Sequence, residues 1–463
     1  MSALTLLRNL FPLGLLVFVV PPSAAQTSGP AFRLNPADLA VQMQPRAKPE
    51  AQRQHRQKQA DLIYPQAFDL TRHPVTEAEE GHWRKTLWAT ALLEPQDTYV
   101  VTALDQILAL TERSDLSPSQ ARTVQTALQV ATQLFLANPS PNTPLGQRFL
   151  RVVDTSPTAE WSVMALSALV QGGLDPDLAQ AKQQALQARF QGQENVALAV
   201  ALQDITAQLQ PPAEPPLADL LNWQIAPGQT HLYLFCRRDR SVLCRAILKD
   251  AQGQWVRDNS QPGRPLWSVP LLTRSLHGLR WNFIRGATPQ GIYRMEGLMP
   301  RSEPAYFGAY GQFPLVKVFL PLESGVQAFR PGQGGTFPKT LTEYQTLLPS
   351  SWRDYFPIQQ SYWAGRLGRS LIRIHGSGEL PDFFANNRRF PDSYGWNPAI
   401  GCVSALELYN PDGTLQRADM PQILQALAQS NQGRIEGYLI VSEIGGNQQK
   451  PVSLAELEAA LAP

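Results

Sequence analysis

Two short segments towards the C-terminal end hold the side chains best suited to chemistry: Arg373-Ile374-His375-Gly376-Ser377-Gly378 and, further on, Ile400-Gly401-Cys402-Val403-Ser404. A histidine in a glycine-flanked apolar strand end, followed by a cysteine just after a glycine, is the minimum equipment for thiol nucleophilic catalysis. The imidazole takes the thiol proton and creates the reactive thiolate. Acyl transfer is the chemistry these residue types suggest. Cys236 and Cys244 lie close together in the sequence, which leaves Cys402 without an obvious partner.

The elements that must position this couple begin after an export signal. Arg8 precedes an apolar core from Leu10 to Val20, and Ser23 and Ala25 fit the small-residue cleavage rule, so residues 1–25 read as a signal peptide. That core is too short for a comfortable membrane span, and no later stretch approaches the roughly 20 uncharged residues a spanning helix needs. An exported protein is expected. With 463 residues, 43% of them hydrophobic and 17% charged, the chain can bury more than one core. Its formal charge of +2 argues against nucleic acid as a partner.

Residues 26–74, rich in Gln, Arg, Pro and Lys, read as a flexible basic arm. Residues 75–210 have helical periodicity, with apolar faces such as Val124, Leu128, Ala131 and Phe135, or Leu198, Leu202, Ile205 and Leu209. Thr76 with Glu79 reads as a capping box. Ser117-Pro118, Ser156-Pro157 and Asp175-Pro176 each place an N-cap residue before a proline at the first helical position. About six helices of roughly 15 to 20 residues are predicted, as a bundle or as stacked hairpins. Trp83, Trp88 and Trp161 are expected in their core. A partner-binding or spacing role for the helices is inferred from architecture alone.

The proline-rich residues 211–221 read as a linker. Beyond them the pattern is that of strands, and residues 222–463 are read as a mainly β catalytic domain with short helices. His231 to Cys236 and Val242 to Leu248 form a hairpin pattern that would set Cys236 opposite Cys244 for a cross-strand disulfide, with two independent buried thiols as the alternative. A further strand is expected at Gly278 to Ile284. In Ala287-Thr288-Pro289-Gln290-Gly291-Ile292-Tyr293, Pro and Gly set a tight turn before another strand. Near the end, a strand at Gly437 to Ser442 lies between helices at Met420 to Gln429 and Ser453 to Leu461.

The Thr-Pro-x-Gly-x-Tyr element, then Ile-His-Gly-Ser, then Gly-Cys-Val, in this order, resembles the catalytic domain of the YkuD-type L,D-transpeptidases, which remodel bacterial peptidoglycan. The resemblance covers roughly residues 230 to 410 and implies a YkuD-like sandwich. It makes Cys402 the nucleophile and His375 its base, with Gly376 and Ser377 beside the histidine, and backbone N–H groups around Gly401 and Cys402 as the oxyanion hole. Two positions depart from the family, which usually has Ser or Thr and then His before the Gly-Cys pair, where this chain has Ala399 and Ile400. The family also commonly has Arg two residues after the cysteine, where this chain has Ser404.

The segment between His375 and Cys402 is longer than is usual in the family. Phe383, Phe384, Tyr394 and Trp396 within it offer a lid or substrate shelf, and Arg388 and Arg389 suit stem-peptide carboxylates. The implied activity is a two-step acyl transfer on peptidoglycan stem peptides through a Cys402 thioester, with carboxypeptidase activity where water is the acceptor. It needs neither a metal nor an organic cofactor, and no histidine pair with zinc spacing is read from the sequence. The competing readings are a catalytically inactive wall-binding relative of the fold and a cysteine peptidase or amidase of another architecture.

Overall fold

A computed structural model describes residues 34–40, 48–238, 240–299, 311–337, 340–376, 390, 393 and 396–461. The signal segment and Ser377, Phe383, Phe384, Arg388, Arg389 and Tyr394 lie outside the described residues. The molecule is α plus β. Its described residues form thirteen α-helices, a mixed eight-stranded sheet and a two-stranded ribbon.

Helices come first: α1 (Pro49–Ala60), α2 (Glu80–Leu93), α3 (Thr98–Ala109), α4 (Pro118–Ala137), α5 (Pro144–Thr155), α6 (Ala159–Gln171), α7 (Pro176–Arg189) and α8 (Val196–Leu209). The local signals explain most of their starts. Ser117 Oγ accepts from Gln120 N at 3.3 Å while Ser117 N donates to Gln120 Oε1 at 2.9 Å, which satisfies two end groups of α4 reciprocally. Asp175 caps α7 through Leu178 N at 3.0 Å. The α4 face of Val124, Leu128, Ala131 and Phe135 is buried as its spacing requires.

Several expectations need correction. Thr76 and Glu79 form no capping box, because Glu79 is held by His73 Nδ1 at 2.8 Å and α2 starts at Glu80 with no side-chain cap. Ser156 closes α5, and α6 begins three residues later. The arm is ordered over part of its length: α1 lies within it, and Ala67 and Phe68 enter the helical core because they, unlike their polar neighbours, have area to bury. Trp83 and Trp161 are buried, but Trp88 is 40% exposed.

After the proline-rich stretch and α9 (Leu217–Asn222) come β1 (Thr230–Cys236), β2 (Cys244–Lys249), β3 (Ser268–Leu271), β4 (Gly291–Met299) and β5 (Leu315–Phe319). There follow α10 (Leu341–Gln345), α11 (Gln360–Arg366), β6 (Arg373–Gly376), β7 (Val403–Ala405), β8 (Glu407–Tyr409), β9 (Leu415–Ala418), α12 (Met420–Gln429), β10 (Glu436–Glu443) and α13 (Leu454–Leu461). The sheet order is β3-β2-β1-β10-β4-β5-β6-β7, with β8 and β9 as the ribbon. Pairs β1–β10 and β6–β7 are parallel and the others antiparallel.

The sheet curls until its edges meet: Leu272, just past β3, and Ser404 of β7 exchange backbone hydrogen bonds of 2.9 and 2.8 Å. Closure of this kind removes exposed edges. Alternation along the strands then gives two apolar faces. One takes Leu232, Leu234, Val316, Ile374 and Val403 together with Ile423, Leu424 and Leu427 of α12. The other takes Tyr233, Phe235, Ile292 and Tyr438 with residues of α9, α10, α11 and α13.

The expected strand at Gly278 to Ile284 is absent. Its alternating Leu279, Trp281 and Phe283 looked strand-like, but Leu279 and Phe283, with Leu276, are buried in the core of the helices. The segment is an irregular strap whose backbone follows the helical surface rather than a neighbouring strand.

Candidate active site

The thiol and the imidazole come to neighbouring strands through one register. In the parallel β6–β7 pair, Ile374 is level with Val403 and His375 with Ser404. Ile374 and Val403 face the apolar core with α12, so His375 and Ser404 face the other way. Cys402 lies in the bend just before β7, and the register sets it at the start of β6, two residues back from the level of His375 and Ser404. Proton transfer between them needs the sulfur and the ring within hydrogen-bond reach, directly or through one water.

Cys402 is the free cysteine of the described residues and is 7% exposed. Its thiol donates to Leu371 O at 3.6 Å, at the start of the β6 side. Gly401 has φ +132°, which a side chain rarely adopts, and a Cβ there would stand 2.5 Å from Arg369 Nη2. Glycine before Cys402 is therefore required by backbone conformation and by the guanidinium beside it.

His375 is buried, and its Nδ1 donates to Gly376 O at 2.9 Å, which puts the basic lone pair on Nε2. Burial lowers its pKa to about 4, against a smaller opposing effect of the Gly376 carbonyl, so the ring is neutral at physiological pH, the form a base needs. Gly376 is glycine for a different reason from Gly401: the Glu407 carboxylate occupies the space where its Cβ would be. Glu407 is buried, accepts from Gln312 N at 2.7 Å and from the Tyr409 hydroxyl, and burial raises its pKa to about 7.

Two features escaped the sequence reading. Arg369 is buried beside the thiol and interacts electrostatically with it, which favours the thiolate. Its guanidinium donates to the carbonyls of Ala287 at 2.8 Å, Gly286 at 2.9 Å and Trp281. Burial lowers its pKa to about 10, with Tyr293 and Cys402 acting in the opposite direction, so it is charged at neutral pH. A cation thus reaches Cys402 from outside the Gly-Cys pair. Ser404 itself is buried, and Ile400 is 42% exposed.

The second feature is the clamp made by the Thr-Pro-x-Gly-x-Tyr turn. Thr288 Oγ1 donates to Gly401 O at 3.0 Å, and the Cys402 carbonyl lies 3.5 Å from it. The turn is itself fixed to β10, since Gln290 Nε2 donates to Glu443 Oε2 at 2.9 Å and Glu443 N to Gln290 Oε1 at 2.8 Å. Leu276 N donates to Ala399 O at 2.8 Å, so the Cys402 segment is held on its far edge by the strap.

Cys236 and Cys244 are joined by a disulfide with an S–S distance of 2.06 Å, at the end of the β1–β2 pair. Trp396 is half-buried and lines a cavity on the helical side. Away from this site, His73, Glu79 and His82 bring their ligand atoms within 4.8 Å of one another, a grouping the sequence reading did not foresee. The imidazoles are stacked 3.8 Å apart at 10°, and His82 Nε2 also meets Ala67 O at 2.8 Å. Parallel rings cannot both aim an in-plane lone pair at one ion without rotating, so the group is satisfied as a stacked, hydrogen-bonded cluster.

No family model matches the chain, and neither a curated protein nor a solved structure was found to be similar to it.

Proposed function

We propose that this protein is an exported peptidoglycan L,D-transpeptidase with a YkuD-type catalytic unit and Cys402 as its nucleophile. The observation that carries the reading is the placement of His375 on β6 and of Cys402 immediately before β7, the parallel neighbour of β6, with the Cys402 segment clamped by Thr288. In the first step the Cys402 sulfur bonds to the carbonyl carbon that joins an L-centre to the following D-residue of a stem peptide. The C–N bond breaks, and the proton taken by His375 Nε2 goes to the leaving amine. In the second, an amine of another stem attacks the thioester, its proton passes to His375, and the sulfur leaves. Water in place of the amine gives hydrolysis.

Arg369 favours the thiolate in a site where His375 is neutral, and backbone N–H groups around Gly401 and Cys402 are the candidate oxyanion donors. The Cys236–Cys244 disulfide supports an oxidising compartment such as the periplasm or cell wall. Among the described residues no helix is long and apolar enough to cross a membrane.

Incubation of the full-length mature protein with a stem tetrapeptide, followed by intact-mass measurement, tests the reading. An acyl adduct on Cys402 that is absent from Cys402→Ala and formed at least ~100-fold more slowly by His375→Ala is expected. A folded wild-type protein that forms no adduct overturns it.

A further inference from the structure

The loop between β1 and β2 is closed on itself by the Cys236–Cys244 disulfide, and its contacts lead residue by residue to the Cys402 segment. Both sulfurs face one hydroxyl: Cys244 Sγ lies 3.2 Å and Cys236 Sγ 3.6 Å from Thr273 Oγ1. A disulfide sulfur has no hydrogen to give, so Thr273 donates to the sulfurs, and it accepts from Arg240 Nη1 at 2.5 Å. Thr273 and Arg240 are both buried. Arg240 belongs to the closed loop and has φ +56°, a left-handed conformation that is costly for a residue with a side chain. The bonded cysteines are only 8 positions apart, and a loop so tightly closed has few conformations open to it. Closure is what keeps a strained arginine turned inwards.

Two routes run from this loop to Cys402. In the first, Thr273 O accepts from Thr288 N at 3.2 Å, and Thr288 Oγ1 donates to Gly401 O at 3.0 Å. In the second, Arg240 pairs with Glu443 Oε1 at 2.7 Å, and Glu443 Oε2 accepts from Gln290 Nε2 at 2.9 Å, two residues past Thr288. Both routes end on the turn that clamps the Cys402 segment. Gly286 and Ala287, just before that turn, carry carbonyls that hold the Arg369 guanidinium. The disulfide loop therefore bears on where Cys402 sits relative to the charge of Arg369.

We propose that the Cys236–Cys244 disulfide, Arg240 and Thr273 form a positioning unit that holds the Cys402 thiol in the field of Arg369. Thr273 and Arg240 are positioning residues, since they act through Thr288 and Gln290 and not on the reacting atoms. Only the choice of Cys402 as the reacting group rests on the function proposed above.

The test measures the pH profile of Cys402 alkylation by iodoacetamide in the full-length mature protein, a reaction of the thiolate that needs no peptidoglycan. Of the three cysteines in the chain, Cys402 is the one outside the disulfide. Thr273→Val removes the hydroxyl and keeps the branched shape, Thr273→Ser keeps the hydroxyl, and Cys236→Ser with Cys244→Ser opens the loop. Moving Cys402 away from Arg369 disfavours the thiolate. The midpoint of the profile is expected to rise by about one pH unit or more in Thr273→Val and in the double serine variant, which is roughly 10-fold less thiolate at neutral pH, and to stay within ~0.3 unit of wild type in Thr273→Ser. Each profile is taken below the onset of thermal unfolding of that variant, where a loss of stability alone does not move the midpoint. An unchanged midpoint in either folded variant overturns the proposal, as does a rise in Thr273→Ser equal to that in Thr273→Val; Thr273→Val decides if the double serine variant does not fold, and the reverse. Acylation of wild-type Cys402 by a stem tetrapeptide is followed separately. Raised midpoints without acylation overturn the transpeptidase reading alone, and acylation with unchanged midpoints overturns the positioning unit alone.

Discussion

Glu407 and Gly376 show how one residue dictates another. The carboxylate lies where a Cβ of Gly376 would be, in a buried space beside the candidate base, and burial raises its pKa to about 7 from an ordinary 4.5. A carboxyl whose folded pKa is raised binds its proton more tightly in the folded state. Its contribution is therefore fully present below pH 4.5 and is lost as pH rises through 7, amounting to roughly 3 kcal/mol. Glu407→Gln keeps an acceptor for Gln312 N and the Tyr409 hydroxyl but cannot ionise. Relative to wild type it is expected to gain about 3 kcal/mol of stability between pH 4.5 and pH 8, read from denaturant unfolding at each pH; a gap that does not change with pH refutes this. The sequence made Gly376 a plausible companion of His375 but gave no sign of Glu407, because the two meet only when β6 and β8 are in place.

Among the elements, the strap between β3 and β4 is the misread one that bears on the site. Alternating Leu279, Trp281 and Phe283 fit a strand, yet the segment is pinned to α4 and α8. His277 Nδ1 meets Gln133 Oε1 at 3.1 Å, and Arg280 and Trp281 bind Asp204. The same strap offers Gly286 and Ala287 carbonyls to Arg369 and leads into Thr288, so it connects α8 to the Cys402 segment. Asp204→Ala leaves Arg280 without its partner, and a buried pair broken in this way costs about 3 kcal/mol or more. Lower stability in chemical unfolding is expected together with slower Cys402 acylation at temperatures where the variant is folded. Full acylation rate in the folded variant would show that the strap does not hold the site. Helix starts, by contrast, were legible at Ser117 and Asp175, and misread at Ser156, which closes α5, and at Thr76 and Glu79, where His73 competes for the carboxylate.

At the scale of the whole molecule, the proline-rich stretch does not divide two independent bodies. Leu276, Leu279 and Phe283 belong to the sheet-bearing half of the chain but are buried among the helices, each worth about 2 kcal/mol of apolar burial. A chain starting at residue 211 would expose all three and leave Arg280 without Asp204, a loss comparable to the 5–15 kcal/mol that holds a typical domain together. It is expected to be aggregated or far less stable than the full protein by size-exclusion chromatography and thermal unfolding, and a monodisperse product with unchanged melting temperature would overturn the shared-core account. What the sequence determined by itself was local: helical faces set by a period of 3.6, caps such as those at Ser117 and Asp175, a hairpin that offered Cys236 and Cys244 to each other, and the order of His375 and Cys402. Only the tertiary structure decided that Arg369 stands by the thiol, that Glu407 fills the space at Gly376, and that the helices reach the site through a strap. Those contacts join residues far apart in the chain, and distance along a sequence carries no record of which buried charges will share a low-dielectric space.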